Sequence, residues 1–270
     1  MSDPLLVVDD VTAGFGPVTV LHGVSFAVPR GSIAGVFGLN GAGKSVTMKT
    51  IAGTVAARSG RIVLDGEDVT ALEPEARVAR GMGHVPQGRQ VFPRLTVEEN
   101  LRLGAYTLRR RDKARYRAVL DGVYDRFPVL RERRTQLAGT MSGGQQASLS
   151  VARALVNEPT VVMVDEPSAG LSPVAQLELN DVLRTVADSG VTMVLVEQNV
   201  AFGLSLVDTA HLLQTGRVVH SAPVDALDEA TLATHLGIGS VLRAATGTAL
   251  AARQAVPPQR GAGRARRRAS

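Results

Sequence analysis

The run Gly38 to Ser45, GLNGAGKS, has the spacing G-x-x-x-x-G-K-S and follows the apolar stretch SIAGVF. Glycines at these positions let main-chain N–H groups wrap a polyphosphate. The Lys44 ammonium reaches the β- and γ-phosphates, and the Ser45 hydroxyl is placed to bind Mg2+. A helical pattern, KSVTMKTIAG, runs on to Gly53 as a C-cap. An incidental glycine turn is the competing reading, and the strand before and the helix after it argue against that. The cradle predicted from Gly38, Asn40, Gly41, Ala42, Gly43, Lys44, Ser45 and Val46 holds a nucleoside triphosphate.

Residues 161–167, VVMVDEP, supply a complement. A short apolar strand delivers Asp165 at its end, where a carboxylate can hold Mg2+ directly or through water. Glu166 follows at once, placed to polarise a water for attack on the γ-phosphorus. Two adjacent acids also occur in plain polar turns; beside a phosphate cradle, metal ligand and general base are the favoured roles, and ATP hydrolysis the favoured reaction. A second anion site is predicted in MSGGQQ, Met141 to Gln146, where Ser142 and Gln145 fit a capping box opening the helix QQASLSVARAL. Ser142, Gly143 and Gly144 leave orphan N–H groups at the positive end of that helix. Spacing alone does not say whose phosphate this turn holds.

These residues need a scaffold, and short β-rich runs alternating with helical patterns predict an α/β sheet. LLVVDDV, VSFAV and RIVLDG read as a small, largely antiparallel sheet. SIAGVF (32–37), MGHV (82–85), VVMV (161–164), VTMVLV (191–196) and AHLLQ (210–214) read as buried strands. Residues from about 96 to 156 look mainly helical, with a second capping box at Thr96 and Glu99. No internal repeat is visible, and a boundary near residue 240 is expected after HLGIGS.

Composition narrows the classes further. The chain has 270 residues, 44% hydrophobic, with 3% aromatics, no tryptophan and no cysteine. Its core must be mostly aliphatic, and disulfides and thiolate metal sites are excluded. The N-terminal MSDPLLVVDD lacks the basic flank and apolar run of a secretion signal, and no stretch has the roughly 18 apolar residues of a membrane span. A cytoplasmic protein is expected, one that reaches a membrane only through partners. The net charge of +5 is unevenly placed: seven arginines after Glu229 (243, 253, 260, 264, 266, 267 and 268) outweigh it, leaving residues 1–229 at −2. The tail reads as a disordered, solvated extension, with weak attraction to anionic lipid or RNA as the lesser alternative.

The ordered set of motifs, with MSGGQQASLSVARAL the most selective, resembles the ATP-binding subunit of ABC transporters over roughly residues 5–240. Met141 takes the place of the usual leucine, a mild change in volume. The resemblance implies an α/β P-loop NTPase of ABC type, with a RecA-like core, an N-terminal antiparallel β subdomain and an inserted helical subdomain at about 88–156. It makes residues 1–240 the nucleotide-binding domain and 241–270 the arginine-rich tail. It also implies that two such domains close head to tail, so that Ser142, Gly143 and Gly144 cap the ATP held by the other chain. Phe15 would stack on adenine, although a strand-edge core residue is the alternative. Gln87, in HVPQGR, would contact Mg2+ or the attacking water, and SAGLSP (168–173) would lie across the dimer interface. Gln198, in VLVEQN, stands where most members carry a histidine; it can donate a hydrogen bond but cannot carry an imidazolium charge.

Within the family, VPQGRQVFPRLTVEENL, VEQN and HLGIG are similar to the second ATPase subunit of importers for branched-chain amino acids, and to the related importers of urea and short amides, toward which Gln87 itself points. The resemblance implies two membrane permeases, a second ABC ATPase (or a second copy of this chain), a solute-binding protein acting indirectly, and a peripheral place on the cytoplasmic face of the plasma membrane. Coupling helices of the permeases would dock beside Gln87 and FPRLTVEEN. An ABC-type ATPase of DNA repair would carry a long heptad insertion, one of translation two such domains, and a non-hydrolysing scaffold would lack Lys44 or Glu166. No nucleic-acid partner is expected.

Overall fold

The computed structural model describes residues 4–88, 90–106, 108 and 112–237; the expected tail, 241–270, lies outside them. The chain opens with β1 (Pro4–Phe15), β2 (Val18–Pro29), β3 (Ile33–Phe37), α1 (Lys44–Ile51), β4 (Ala57–Leu64) and β5 (Glu67–Asp68). Then come α2 (Pro74–Val78), β6 (Met82–Val85), α3 (Val97–Gly104), α4 (Lys113–Arg126), α5 (Pro128–Glu132) and α6 (Gly143–Leu155). The last part is β7 (Val161–Asp165), α7 (Pro173–Asp188), β8 (Thr192–Glu197), α8 (Val200–Leu206), β9 (Thr209–Gln214), β10 (Arg217–Pro223) and α9 (Glu229–Leu236).

β3, β7 and β8 are buried at every position. Strands that are apolar throughout must be covered on both faces, and the side-chain period of two decides which residues meet which layer. Val162 and Val164 of β7, with Met193 and Leu195 of β8, join a core shared with helices α3 to α7. Val161, Met163, Val194 and Val196 point the other way, into a core with Leu6, Leu21 and Ile62 of the second sheet and Met48 of α1. The main sheet has the order β10-β9-β3-β8-β7-β6, parallel except for the edge strand β10. The second sheet, β2-β1-β4-β5, is antiparallel.

β6 and β7 are parallel neighbours, so the chain leaves the sheet after Val85 and returns at Val161. The helices α3 to α6 fill that excursion. Both expected capping boxes form, Thr96 with Glu99 and Ser142 with Gln145. The five expected buried strands lie within a residue or so of their anticipated bounds, whereas β5 and β10 were not anticipated. No helix among the described residues is long and apolar enough to cross a membrane.

One buried cation braces the helix behind the cradle. Arg77 of α2 is 1% exposed, and its guanidinium donates to the carbonyls of Thr50 (2.8 Å), Ile51 (2.7 Å), Leu72 (2.9 Å) and Thr70 (2.7 Å). Two of these, Thr50 and Ile51, lie at the C-terminal end of α1, where a positive charge also complements the helix dipole. Arg77→Met is expected to lower unfolding stability by about 3 kcal/mol, because buried carbonyls lose charged donors. Urea unfolding read by circular dichroism checks this; a change within about 0.5 kcal/mol would contradict it.

Candidate active site

The turn from β3 into α1 is shaped by close backbone contact. A Cβ on Gly38 would stand 2.4 Å from the Leu213 carbonyl oxygen of β9, and Gly43 holds φ +107° as the N-cap of α1. Only glycine accepts both constraints without strain. The Ala42 carbonyl accepts a hydrogen bond from Gly216 N (2.8 Å) in the β9–β10 turn, so the loop is braced from below. No acidic residue occupies the first turn of α1, which leaves its positive end uncompensated. The cavity over this turn, about 190 Å3, is lined by Asn40, Gly41, Gly43, Lys44, Ser45 and Val46, with Val20 of β2 on its wall and Glu166 at its mouth.

Lys44 is 4% exposed, and its ammonium donates to the carbonyls of Gly38 (2.8 Å) and Leu39 (3.2 Å). Its Nζ lies 3.7 Å from Glu166 Oε1. Glu166 follows β7 with φ +43°, a left-handed conformation that costs a non-glycine residue of order 1 kcal/mol or more. Its N–H donates to the Val196 carbonyl of β8 (2.9 Å), and its Oε2 accepts from Gln87 Nε2 (2.7 Å). The fold thus brings Lys44, Gln87 and Glu166, far apart in sequence, into direct contact.

Asp165, the last residue of β7, is buried, and its Oδ1 accepts no hydrogen bond. Burial first, then the neighbouring Glu166 charge, push its carboxyl up to about 6, while Lys49 and Lys44 pull it back. Among the described residues no three histidine, cysteine or acidic side chains are grouped to hold a metal. An orphaned carboxylate oxygen is nonetheless a donor of the kind that suits a hard cation such as Mg2+.

The other expected site residues are placed elsewhere. Gln198 has an exposed side chain and lines, with Glu166, Ser168 and Gln176, a second cavity on the other side of the glutamate. Phe15 is 51% exposed at the end of the β1–β2 hairpin and does not line the cradle. Ser142 caps α6 by accepting from Gln145 N (3.3 Å), and neither it nor Gly143 or Gly144 lines either cavity. Two residues escaped the sequence reading. Glu197 ends the apolar strand β8 as Asp165 ends β7, and a carboxylate at the end of an apolar strand is the signal that marks both. Arg153 of α6 donates to the Gln90 carbonyl (2.8 Å), tying α6 to the Gln87 loop.

With that geometry in hand, comparison with known proteins is specific. A family model described as "ABC transporter" matches residues 21–169. The chain is 41% identical over 215 residues to the high-affinity branched-chain amino acid transport ATP-binding protein BraG of Pseudomonas aeruginosa, covering 80% of this chain and 91% of that one. It is 40% identical over 220 residues to the probable branched-chain amino acid transport ATP-binding protein LivF of Archaeoglobus fulgidus, covering 81% and 92%. The lipopolysaccharide export protein LptB of Escherichia coli is 31% identical, covering 81% and 91%. Among solved structures, an ATP-binding subunit of an ABC transporter superposes with TM-score 0.70 at 28% identity, covering 91% of this chain and 99% of that one. A nucleotide-free ATP-binding cassette superposes at 0.73 with 23% identity, covering 89% and 98%.

The Asp165 carboxyl has a consequence for stability. Its folded value of about 6 exceeds its ordinary 3.8, so the folded protein keeps a proton that the unfolded chain releases. Its contribution is neutral below about pH 4, turns unfavourable as pH rises to about 6, and stays so above. Asp165→Asn is expected to stabilise the chain by about 2 kcal/mol at pH 7.5, with little effect at pH 4. Urea unfolding of both chains at the two pH values measures the difference; an equal effect at both would remove this account.

Proposed function

The chain belongs to the ABC transporter family of nucleotide-binding ATPases, and from that premise we propose that it is the ATP-hydrolysing subunit of a membrane importer for branched-chain amino acids. The observation that carries this reading is the convergence of Lys44, Glu166 and Gln87 at the mouth of the 38–46 cradle, in a chain about 40% identical to BraG and LivF along most of its length.

In this reading the amides of residues 38–46 and the positive end of α1 hold the ATP phosphates, and Phe15 stacks on the adenine. On binding, Lys44 exchanges the Gly38 and Leu39 carbonyls for phosphate oxygens. Its link to Glu166 loosens with it, which frees that carboxylate for water. Glu166 removes the proton from the water that attacks the γ-phosphorus, and Gln87 orients the carboxylate. Gln198, on the other side of Glu166, donates a hydrogen bond to the γ-phosphate without adding charge. Asp165, the Ser45 hydroxyl and Gln87 would hold Mg2+, which would supply positive charge against the phosphates.

Ser142, Gly143 and Gly144 serve the ATP of a second ABC ATPase. The support is that they present a capped, partly exposed helix start away from this chain's own cradle. Two permeases would dock beside the Gln87 loop, where Phe92 is 47% exposed, placing the chain peripherally on the cytoplasmic face. Closure on ATP and reopening after hydrolysis would then move the permeases between states. The same role for urea or short amides rests on Gln87 alone.

Glu166→Gln is expected to bind ATP with near wild-type affinity and to hydrolyse it about 100-fold or more slowly, whereas Lys44→Ala loses nucleotide affinity as well. Capture of the Glu166→Gln chain from detergent-solubilised native membranes with Mg-ATP is expected to recover two multi-span permeases and a second ABC ATPase. Normal turnover would remove Glu166 as the base. Recovery of ribosomes or DNA-bound proteins without a permease would overturn the importer.

A further inference from the structure

Glu197 has no part in the chemistry above, yet it is among the most deeply buried acids of the chain, at 1% exposure. Its carboxylate is fully engaged by main-chain donors. Oε1 accepts from Ser168 N (2.9 Å), and Oε2 accepts from both Gln198 N (2.9 Å) and Asn199 N (3.0 Å). Those donors belong to two different loops. Ser168 stands two residues after Glu166, whereas Gln198 and Asn199 connect β8 to α8. The clamp continues outward, because Asn199 Nδ2 donates to Gln176 Oε1 (3.1 Å) and Gln176 Nε2 donates to the Leu171 carbonyl (3.2 Å).

We infer that Glu197 is a positioning residue: its carboxylate locks the main chain on both sides of the hydrolytic site, fixing Glu166 and Gln198 relative to each other. This rests on the assignment of Glu166 as the base. Glu166 sits in a left-handed conformation, which persists only where its surroundings enforce it. Before the side chain, Glu166 N is held by the Val196 carbonyl; after it, Ser168 N is held by Glu197. Both anchors lie on consecutive residues of β8, so the strained residue is fixed to one rigid strand.

The arrangement requires a carboxylate and not merely a polar side chain. Two oxygens that only accept face three N–H donors. A glutamine has one such oxygen, and its NH2 group would meet a donor head-on. One loop must therefore detach in Glu197→Gln. Burial raises the Glu197 carboxyl, while the Ser168 hydroxyl and the three main-chain donors pull it back toward ionisation.

The test uses the full chain and follows ATP affinity, KM and kcat. Glu197→Gln is expected to keep nucleotide affinity and KM within about twofold while kcat falls about tenfold or more; Glu197→Asp, which retains both accepting oxygens, should recover part of kcat. Unchanged kcat in the glutamine variant, or an equal loss of affinity and kcat, overturns the proposal. Combining Glu197→Gln with Glu166→Gln separates this idea from the base assignment. If Glu197 acts through Glu166, the double variant is no slower than Glu166→Gln alone, and additive losses refute the coupling. Normal turnover by Glu166→Gln alone would instead sink the base assignment. Should Glu197→Gln not fold, amide exchange in the wild-type chain decides. Slow exchange at Ser168, Gln198 and Asn199 is expected, and rates typical of exposed loops overturn the clamp.

Discussion

Charge is buried at the C-terminal ends of the central strands of the main sheet, and the rest of the site answers to that cost. Lys44, Asp165 and Glu197 are each nine-tenths or more buried, where an ionised group without partners is strongly disfavoured. Each is compensated differently. Lys44 turns back onto two carbonyls of its own loop; Glu197 collects three main-chain N–H groups; Asp165 keeps an unsatisfied oxygen and retains its proton to a higher pH. The first two are settled within the protein. The third is not, and its unpartnered oxygen leaves the cost of burying that carboxylate unmet within the protein.

A second network joins these strand ends to the helical excursion. Arg153 of α6 lies over the Phe92 ring at 5.3 Å and donates to the Gln90 carbonyl. Gln90 Nε2 donates to the Gln87 carbonyl (3.2 Å), and Gln87 Nε2 reaches Glu166. The fully buried Asn100 fixes the adjoining turn by accepting from Phe92 N and donating toward the Phe92, Leu95 and Thr96 carbonyls. A shift of α6 therefore bears on the glutamate through hydrogen bonds between backbone and side chains, with no gap in the chain. The helix capped by Ser142 and the Glu166 carboxylate are joined through this network.

What could be read in the sequence was whatever is local or strongly patterned. Doubly covered strands announce themselves as apolar runs, glycine turns by composition, and capping boxes by a three-residue spacing. β10 escaped because RVVHSAP alternates between half-buried and exposed positions on an edge and has no apolar run. His211 of β9 is buried: Nδ1 pairs with Ser221 Oγ at 2.8 Å, and burial holds its ring down to about 4, so it is a neutral core group with no signal in the sequence around it. Arg77 and Glu197 could not be read at all as braces. Their partners are main-chain groups, which carry no residue-type signal and come together only through the fold.

The same logic bears on why the second glycine turn stands apart. A helix start satisfies its orphan N–H groups by capping, and Ser142 with Gln145 satisfies two of them reciprocally. The remaining amides at Gly143 and Gly144 lack side chains that would screen them. Gly144 is held close to α7, where a Cβ would meet Glu178 Oε2 at 2.6 Å and Ala175 Cβ at 3.3 Å. α7 is also the helix that follows residues 168–172, the loop whose first main-chain N–H Glu197 grips. α7 is in turn joined to the end of β8 by the hydrogen bond from Asn199 to Gln176, so the packing of Gly144 and the strand end that holds Glu166 N share one helix.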